Sequence, residues 1–196
     1  MGRRGPRLVG RRQSSLGKDG RAPEGPQMDV RVVRSNKVFK THKGGKTASW
    51  SIMVVVGDNK GMVGVGMGKA RGIPDAIRKA EEAARKNMFK VNLLGNTIPH
   101  EVRATYGSCT IVLKPASPGT GVKAGSAVRQ CLEAVGVHDV LAKCLGSRNG
   151  TNIAYATVEA FRSLTAPEVL AQRRGMDVNE LVPWLAKARK LEAENA

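Results

Sequence analysis

Residues 49–70 read Ser49-Trp50-Ser51-Ile52-Met53-Val54-Val55-Val56-Gly57-Asp58-Asn59-Lys60-Gly61-Met62-Val63-Gly64-Val65-Gly66-Met67-Gly68-Lys69-Ala70. Ser49 to Val56 predicts a strand, almost continuously apolar from Ile52 onward. Gly57 to Gly61 predicts a turn. Val63, Val65 and Met67 then alternate with Gly64, Gly66 and Gly68, a strand with one bare face against which another backbone or a helix can lie close. Gly72 ends the sheet, and Ile73 to Val91 predicts a helix with Pro74 in its first turn, where a missing N–H costs nothing. Ile73, Ala76, Ile77, Ala80, Ala84 and Met88 recur at helical spacing and are expected to pack on the sheet. Arg78, Lys79, Arg85, Lys86 and Lys90 lie off that stripe, and Glu81 and Glu82 precede Arg85 and Lys86 by four residues, a pattern that also suits a plain solvated face. On the N-terminal side, Val30 to Phe39 predicts another strand, with Arg31, Arg34, Lys37 and Lys40 on or beside it. The loop His42-Lys43-Gly44-Gly45-Lys46 follows. Two glycines let the backbone turn sharply and approach a ligand, and the flanking lysines suit phosphates. Solubilising lysines on a hairpin tip are the plainer alternative.

The charge points the same way. The 196 residues carry 33 Lys and Arg against 16 Asp and Glu, a net charge of +17, with 41% hydrophobic residues to build a core. Such an excess favours a polyanionic partner, and nucleic acid releases counterions when its phosphates are neutralised. Residues 1–92 hold 21 basic and 7 acidic side chains, 93–130 hold 4 and 1, and 131–196 hold 8 and 8. The basic footprint is therefore expected on the N-terminal half, an asymmetry that solubility does not require. Aromatic residues make up only 4%, which argues against base-stacking platforms and for contact with RNA backbone and shape.

Residues 1–27, with six Gly, three Pro and six Arg, predict a disordered basic tail; the Gly and Pro count against an amphipathic targeting helix. A first domain is expected over 28–92, a second over 93–165 and a helical extension over 166–196. In the second domain, Thr97 to Arg103 and Ser108 to Leu113 predict strands, and Pro115 to Gly125 a Gly/Pro loop. Helices are predicted over Ser126 to Ala134 with Ser126 as cap, Asp139 to Leu145, and Asn152 to Leu164. The extension predicts helix over Pro167 to Arg174 and Val178 to Leu191.

Two Gly-rich stretches invite an enzyme reading. Gly64 to Ala70 fails as a nucleotide-binding P-loop, because Val63 and Ala70 stand where Gly and Ser or Thr are needed. Pro118-Gly119-Thr120-Gly121-Val122-Lys123-Ala124-Gly125 lies between a strand and a helix and could hold a phosphate, but its Gly spacing is not that of a dinucleotide fingerprint. Tight turning alone would also explain it. No catalytic set emerges. Cys109, Cys131 and Cys144 read as reduced core thiols, His42, His100 and His138 are too scattered for zinc, and no apolar run is long enough to span a membrane. No cofactor or metal is expected.

Lys37 to Lys46, Val54 to Asp58, Gly64 to Arg71 and Ile73 to Ala80 resemble the first domain of the ribosomal small-subunit protein five family, bacterial type. Thr97-Ile98-Pro99-His100, Pro115-Ala116, Gly119-Thr120-Gly121, Val140 to Lys143 and Gly146-Ser147 resemble its second domain, so the resemblance runs in order over about 28–183. It implies an α+β fold. The first domain would be like double-stranded-RNA-binding domains, with a three-stranded antiparallel sheet and one helix. The second would be a two-layer α/β domain of a kind shared with galactokinase-type kinases, without implying kinase activity. It further implies a structural, non-enzymatic constituent of a cytoplasmic ribosome rather than an organellar one. Such a constituent binds 16S-type ribosomal RNA at the junction of body and head, touches ribosomal proteins four and eight, lies near the path along which messenger RNA enters, and contributes to decoding accuracy. The RNA-binding candidates are Arg31, Arg34, Lys37, Lys40, Lys43, Gly44, Gly45, Lys46, Lys60, Lys69 and Arg71. The resemblance places a contact with protein four at Gly121 and Arg129, with Gly119 and Thr120 beside them. The chain departs from the family at Gly150, where Pro is common, at Arg103-Ala104, where a Gly-containing pair is usual, and in its longer tail. The rival readings are a free double-stranded-RNA-binding regulator and a small-molecule kinase using residues 118–125.

Overall fold

The computed structural model describes residues 28–176; the basic tail expected over 1–27 and the helix expected over Val178 to Leu191 lie outside the described residues. The chain opens with β1 (Asp29–His42), β2 (Gly45–Gly57) and β3 (Met62–Ala70), followed by α1 (Ile73–Lys86) and the two-residue β4 (Phe89–Lys90). These strands form one antiparallel sheet in the order β1-β2-β3-β4, so the expected three-stranded sheet gains a fourth strand. It does so because α1 stops at Lys86 rather than Val91, which frees Phe89 and Lys90 to pair with Val63 and Met62. Ile73, expected on the packed stripe, sits at the helix start and is 43% exposed.

The bare face of β3 is used as its sequence implies. A Cβ added at Gly64, Gly66 or Gly68 would fall closer than 3.0 Å to the backbone oxygens of Ala84, Ala80 and Ala76 respectively. The helical repeat of four residues, about 6 Å, nearly matches the strand repeat of two, about 6.6 Å. Three glycines on one strand and three alanines on α1 can therefore meet in register, and α1 lies nearly on the sheet backbone. Gly66→Val should destabilise the chain by about 3 kcal/mol or more, because the obstacle is helix backbone and cannot rotate away. A Tm within a degree or two of the parent in thermal denaturation would contradict this packing.

The second part contains β5 (Val102–Tyr106), β6 (Cys109–Pro115), β7 (Val122–Lys123), α2 (Ser126–Val135), β8 (Val140–Gly146), α3 (Gly150–Ser163) and α4 (Pro167–Arg174). The sheet order is β5-β6-β8-β7, antiparallel except for the parallel β7–β8 pair. Residues 139–145, expected as a short helix, are instead mostly strand β8. Val140, Ala142 and Cys144 turn inward with period two, and ladders are available on both sides, from β6 and β7. The expected strand over Thr97 to Arg103 begins only at Val102. Before it, buried Thr97 donates its hydroxyl to the Asp139 carbonyl at 2.5 Å, and Pro99 cannot donate to a ladder. Gly125, not Ser126, holds the cap position of α2.

The two sheets share one core. Even-numbered β2 residues Ile52, Val54 and Val56 face α1, while Met53 and Val55 face the second part and join Val128, Leu132, Ala156 and Phe161 in a single cluster. The first sheet thus lies between α1 and the pair α2–α3, which explains why Ile52 to Val56 does not alternate with polar residues. At the join, the N–H groups of Asn59 and Gly61 donate to the carbonyls of Ala134 and Val135 at 3.1 and 2.9 Å. Side chains are excluded there: a Cβ at Gly57 would strike the Ala134 carbonyl, and one at Gly136 the Asn59 carbonyl.

Candidate nucleic-acid interface

Strand β3 reaches only as far as the Trp50–Ala70 pair, yet β1 and β2 continue to pair through Val38–Ser49 to His42–Gly45. Those five rows form a two-stranded arm about 17 Å long beyond the body of the sheet. Lys43 and Gly44 make its turn, while Gly45 and Lys46, expected in the loop, already belong to β2. Gly45 has φ +154°, a conformation that side chains rarely adopt. Cross-strand register places Lys37, Phe39, Thr41 and Lys46 on one face, and Lys40, His42 and Thr47 on the other. Phe39 is 58% exposed, and the Lys37 ammonium stands 5.3 Å from its ring centroid. A thin ribbon with cations on both faces can enter a groove or cleft of folded RNA without bringing the globular body along.

The other expected contacts divide by position. Lys69 and Arg71 are exposed where β3 ends, at the base of the arm. Lys60 is exposed on the β2–β3 turn, at the opposite end of the sheet. Arg31 and Arg34 turn toward the second part. Arg31 donates to Asp29 at 2.7 Å and pairs with Glu133 on α2, while Arg34 donates to Asn149 at 2.5 Å and to Asn36 at 3.2 Å. The Asp29 carboxylate, and then Glu133, hold the Arg31 guanidinium above its ordinary pKa. These two arginines tie the parts together. On α1, Arg78, Lys79, Arg85 and Lys86 are exposed, with Arg85 donating to Glu81 at 2.6 Å.

In the 117–125 loop, Gly119 and Gly121 have φ of +86° and +74°. Thr120 donates its hydroxyl to the Ser117 carbonyl at 2.7 Å. The Gly121 N–H donates to the carboxylate of Asp139 at 2.9 Å, and Asp139 is buried. An anion of the chain's own thus occupies the amide that a bound phosphate would want, which counts against the kinase reading. Sequence reasoning missed this clamp, because the partners lie 18 residues apart. Arg129 is exposed and donates to the Val122 carbonyl at 3.0 Å, which brings it beside the loop.

Among the described residues no group of His, Cys, Asp and Glu could hold a metal ion, and no helix is long and apolar enough to cross a membrane. The three cysteines are free, and burial pushes the Cys131 thiol up to about 12.

Residues 28–92 match the family described as Ribosomal protein S5, N-terminal domain, and residues 104–174 match Ribosomal protein S5, C-terminal domain. The chain is also 50% identical over 159 residues to the small ribosomal subunit protein uS5 of Fusobacterium nucleatum subsp. nucleatum, covering 81% of this chain and 97% of that relative. Both domain matches fall in chain order on the two halves of this fold, and the likeness to the relative spans nearly its whole length: the chain belongs to the ribosomal protein S5 family.

Proposed function

We propose that the chain is a structural constituent of the small ribosomal subunit in a cytoplasmic ribosome of bacterial type, and that it binds 16S-type ribosomal RNA chiefly through the β1–β2 arm. The observation that carries this reading is the arm itself: Lys40, Lys43 and Lys46 on a protruding ribbon with Lys37 at its base, and no acidic residue between Lys37 and Lys46. Lys69 and Arg71 extend the contact to the arm's base, and Lys60 serves a separate RNA segment. Arg31 and Arg34 orient the second domain rather than hold phosphate. The family is one of structural proteins, and no step of chemistry is assigned to this chain. The test is sedimentation of the full chain with small subunits at moderate salt. Co-migration is expected, whereas exclusive association with free duplex RNA would favour the non-ribosomal regulator.

The loop at Gly119, Thr120 and Gly121, together with Arg129, is proposed to contact protein four, with protein eight and the path of incoming messenger RNA nearby. Gly121 faces open space, since a Cβ there would meet nothing within 4 Å. Its φ of +74° makes a side chain cost about 1–2 kcal/mol in backbone strain, far short of unfolding the domain. Gly121→Arg and Arg129→Leu should each raise near-cognate misreading while subunit yield stays normal. A weakened contact that exists only in the open subunit shifts the population toward the closed, tRNA-accepting form. Gly121→Ala carries the strain without the bulk and should misread less than Gly121→Arg. Normal misreading at normal yield for both larger variants would leave these residues with a purely structural role.

A further inference from the structure

Among the described residues three polar side chains are buried: Thr97, Asp139 and Thr157. Thr157 is satisfied inside α3, where its hydroxyl donates to the Ile153 carbonyl at 2.8 Å. The other two lie 42 residues apart in the chain and meet, through the Thr97 hydroxyl and the Asp139 carbonyl. Asp139 takes part in no ion pair of the described residues. Burying a carboxylate without a cation is costly, so its remaining bonds matter.

Those bonds run to the two ends of one segment. The Ala116 N–H donates to the Thr97 hydroxyl oxygen at 3.4 Å, and the Gly121 N–H donates to the Asp139 carboxylate at 2.9 Å. The Gly121 carbonyl is held as well, accepting from the Val140 N–H at 3.3 Å. The pair is itself anchored, because the N–H groups of His138 and Asp139 both donate to the Asn96 carbonyl, at 2.9 and 3.1 Å. Between the tied ends the segment closes on itself, with the Thr120 N–H donating to the Ser117 carbonyl at 3.2 Å. At Gly119 and Gly121 an added Cβ would meet nothing within 4 Å, so the segment is fixed at its base and open at its tip. The sheet does not require this arrangement: the β7–β8 ladder starts at Val122, one residue beyond the carboxylate's bond.

We infer that Thr97 and Asp139 are positioning residues for the protein contact of this loop: they hold Gly119, Thr120 and Gly121 in the shape that the partner meets. At 3% and 6% exposure they are too deep to touch a partner themselves, and they act through the backbone of the loop. The inference rests on the protein-four reading above and adds the residues through which the fold sets that contact. A segment with two glycines loses much conformational freedom when it is ordered. Ordering it in advance spares the partner that cost, and releasing either end returns it at the moment of binding.

The test joins amide hydrogen exchange on the full chain to a near-cognate misreading reporter in cells, with subunit yield measured alongside. In Asp139→Ala the Gly121 N–H should exchange roughly 10- to 100-fold faster, as expected when a bond to a charged acceptor is lost. Misreading should rise roughly 2- to 5-fold at normal yield, less than in Gly121→Arg, because the freed loop still visits the binding shape. Asp139→Asn keeps an acceptor oxygen and should restore slow exchange and near-normal misreading. Thr97→Val frees the Ala116 N–H with little change of shape and should act in the same direction, whereas Thr97→Ser should not. Thr97→Val carries the comparison if Asp139→Ala loses cooperative unfolding. Gly121→Arg combined with Asp139→Ala should misread no more than Gly121→Arg alone, since both act through one contact. An additive rise would assign Asp139 a general effect on stability and overturn the inference, as would unchanged Gly121 exchange in Asp139→Ala. Fast exchange with normal misreading, while Gly121→Arg misreads, would overturn the inference and leave the protein-four reading intact. Normal misreading in Asp139→Ala, Gly121→Arg and Arg129→Leu alike would overturn both.

Discussion

Lys43→Glu combined with Lys46→Glu is expected to lower affinity for small-subunit particles about 20- to 100-fold near 0.15 M salt, and to reduce the salt slope by about 1.4–1.8. Removing two phosphate contacts accounts for the lower figure, and repulsion between the new carboxylates and RNA for the remainder. The fold should survive, because Lys43 lies in the turn and Lys46 in the first rows of the arm, all exposed and contributing nothing to either core cluster. Equilibrium binding with a parallel thermal melt decides the matter. Unaltered affinity and unaltered chemical protection of the RNA would remove the arm from the interface, and loss of cooperative unfolding would show that the tip is structural.

A fragment of residues 28–92 is expected not to fold cooperatively, although that span coincides with one family domain. Alone, its core would be Ile52, Val54, Val56 and three alanines of α1. Met53, Val55, Val63, Val65 and Val91 are buried in the shared cluster and would become exposed on the opposite face. A chain of about 65 residues has little stability to spare, and each apolar side chain returned to water costs about 1.5–3 kcal/mol. Residues 28–176 should instead melt in one transition. Circular dichroism on both fragments checks this, and a sigmoidal melt of 28–92 with the Tm of the longer chain would contradict a shared core. For the same reason, the charge of residues 1–92 cannot be tested by excising them.

Much of this arrangement is visible in the residues, and what is hidden has identifiable causes. Gly64, Gly66 and Gly68 beside a helix with Ala76, Ala80 and Ala84 announce a close strand–helix contact, because only that packing makes use of an empty face. The unbroken apolar run Ile52 to Val56 signals a strand covered on both sides. Strand β8 is disguised: Leu141, Ala142, Lys143 and Leu145 are good helix formers, and six or seven residues are too few to separate a period of 3.6 from one of two. Pairing with β6 and β7 overrides that propensity. Charge counting places Arg31 and Arg34 with the RNA contacts, but register turns them toward Glu133 and Asn149, which only the folded partner supplies. Arg103, Lys114, Lys123 and Lys143 are likewise spread along the chain and gather on one face of the second sheet only when it forms. The Asp139–Gly121 clamp depends on the β7-α2-β8 crossover and has no local signature.

RNA cleavage from the tip of the arm reports whether the arm is the principal RNA contact. A Gly44→Cys variant carrying an iron chelate generates hydroxyl radicals at the turn, where a Cβ meets nothing within 4 Å. Cys109 and Cys131 are buried and their thiols are pushed up in pKa, so they resist labelling; Cys144, half-buried, is replaced by Ser. With the labelled chain assembled into small subunits, strong cleavage is expected in one compact region of 16S-type ribosomal RNA, and it should vanish when Lys43→Glu and Lys46→Glu are added. Absence of RNA cleavage from the tip in subunits that contain the chain would contradict the account.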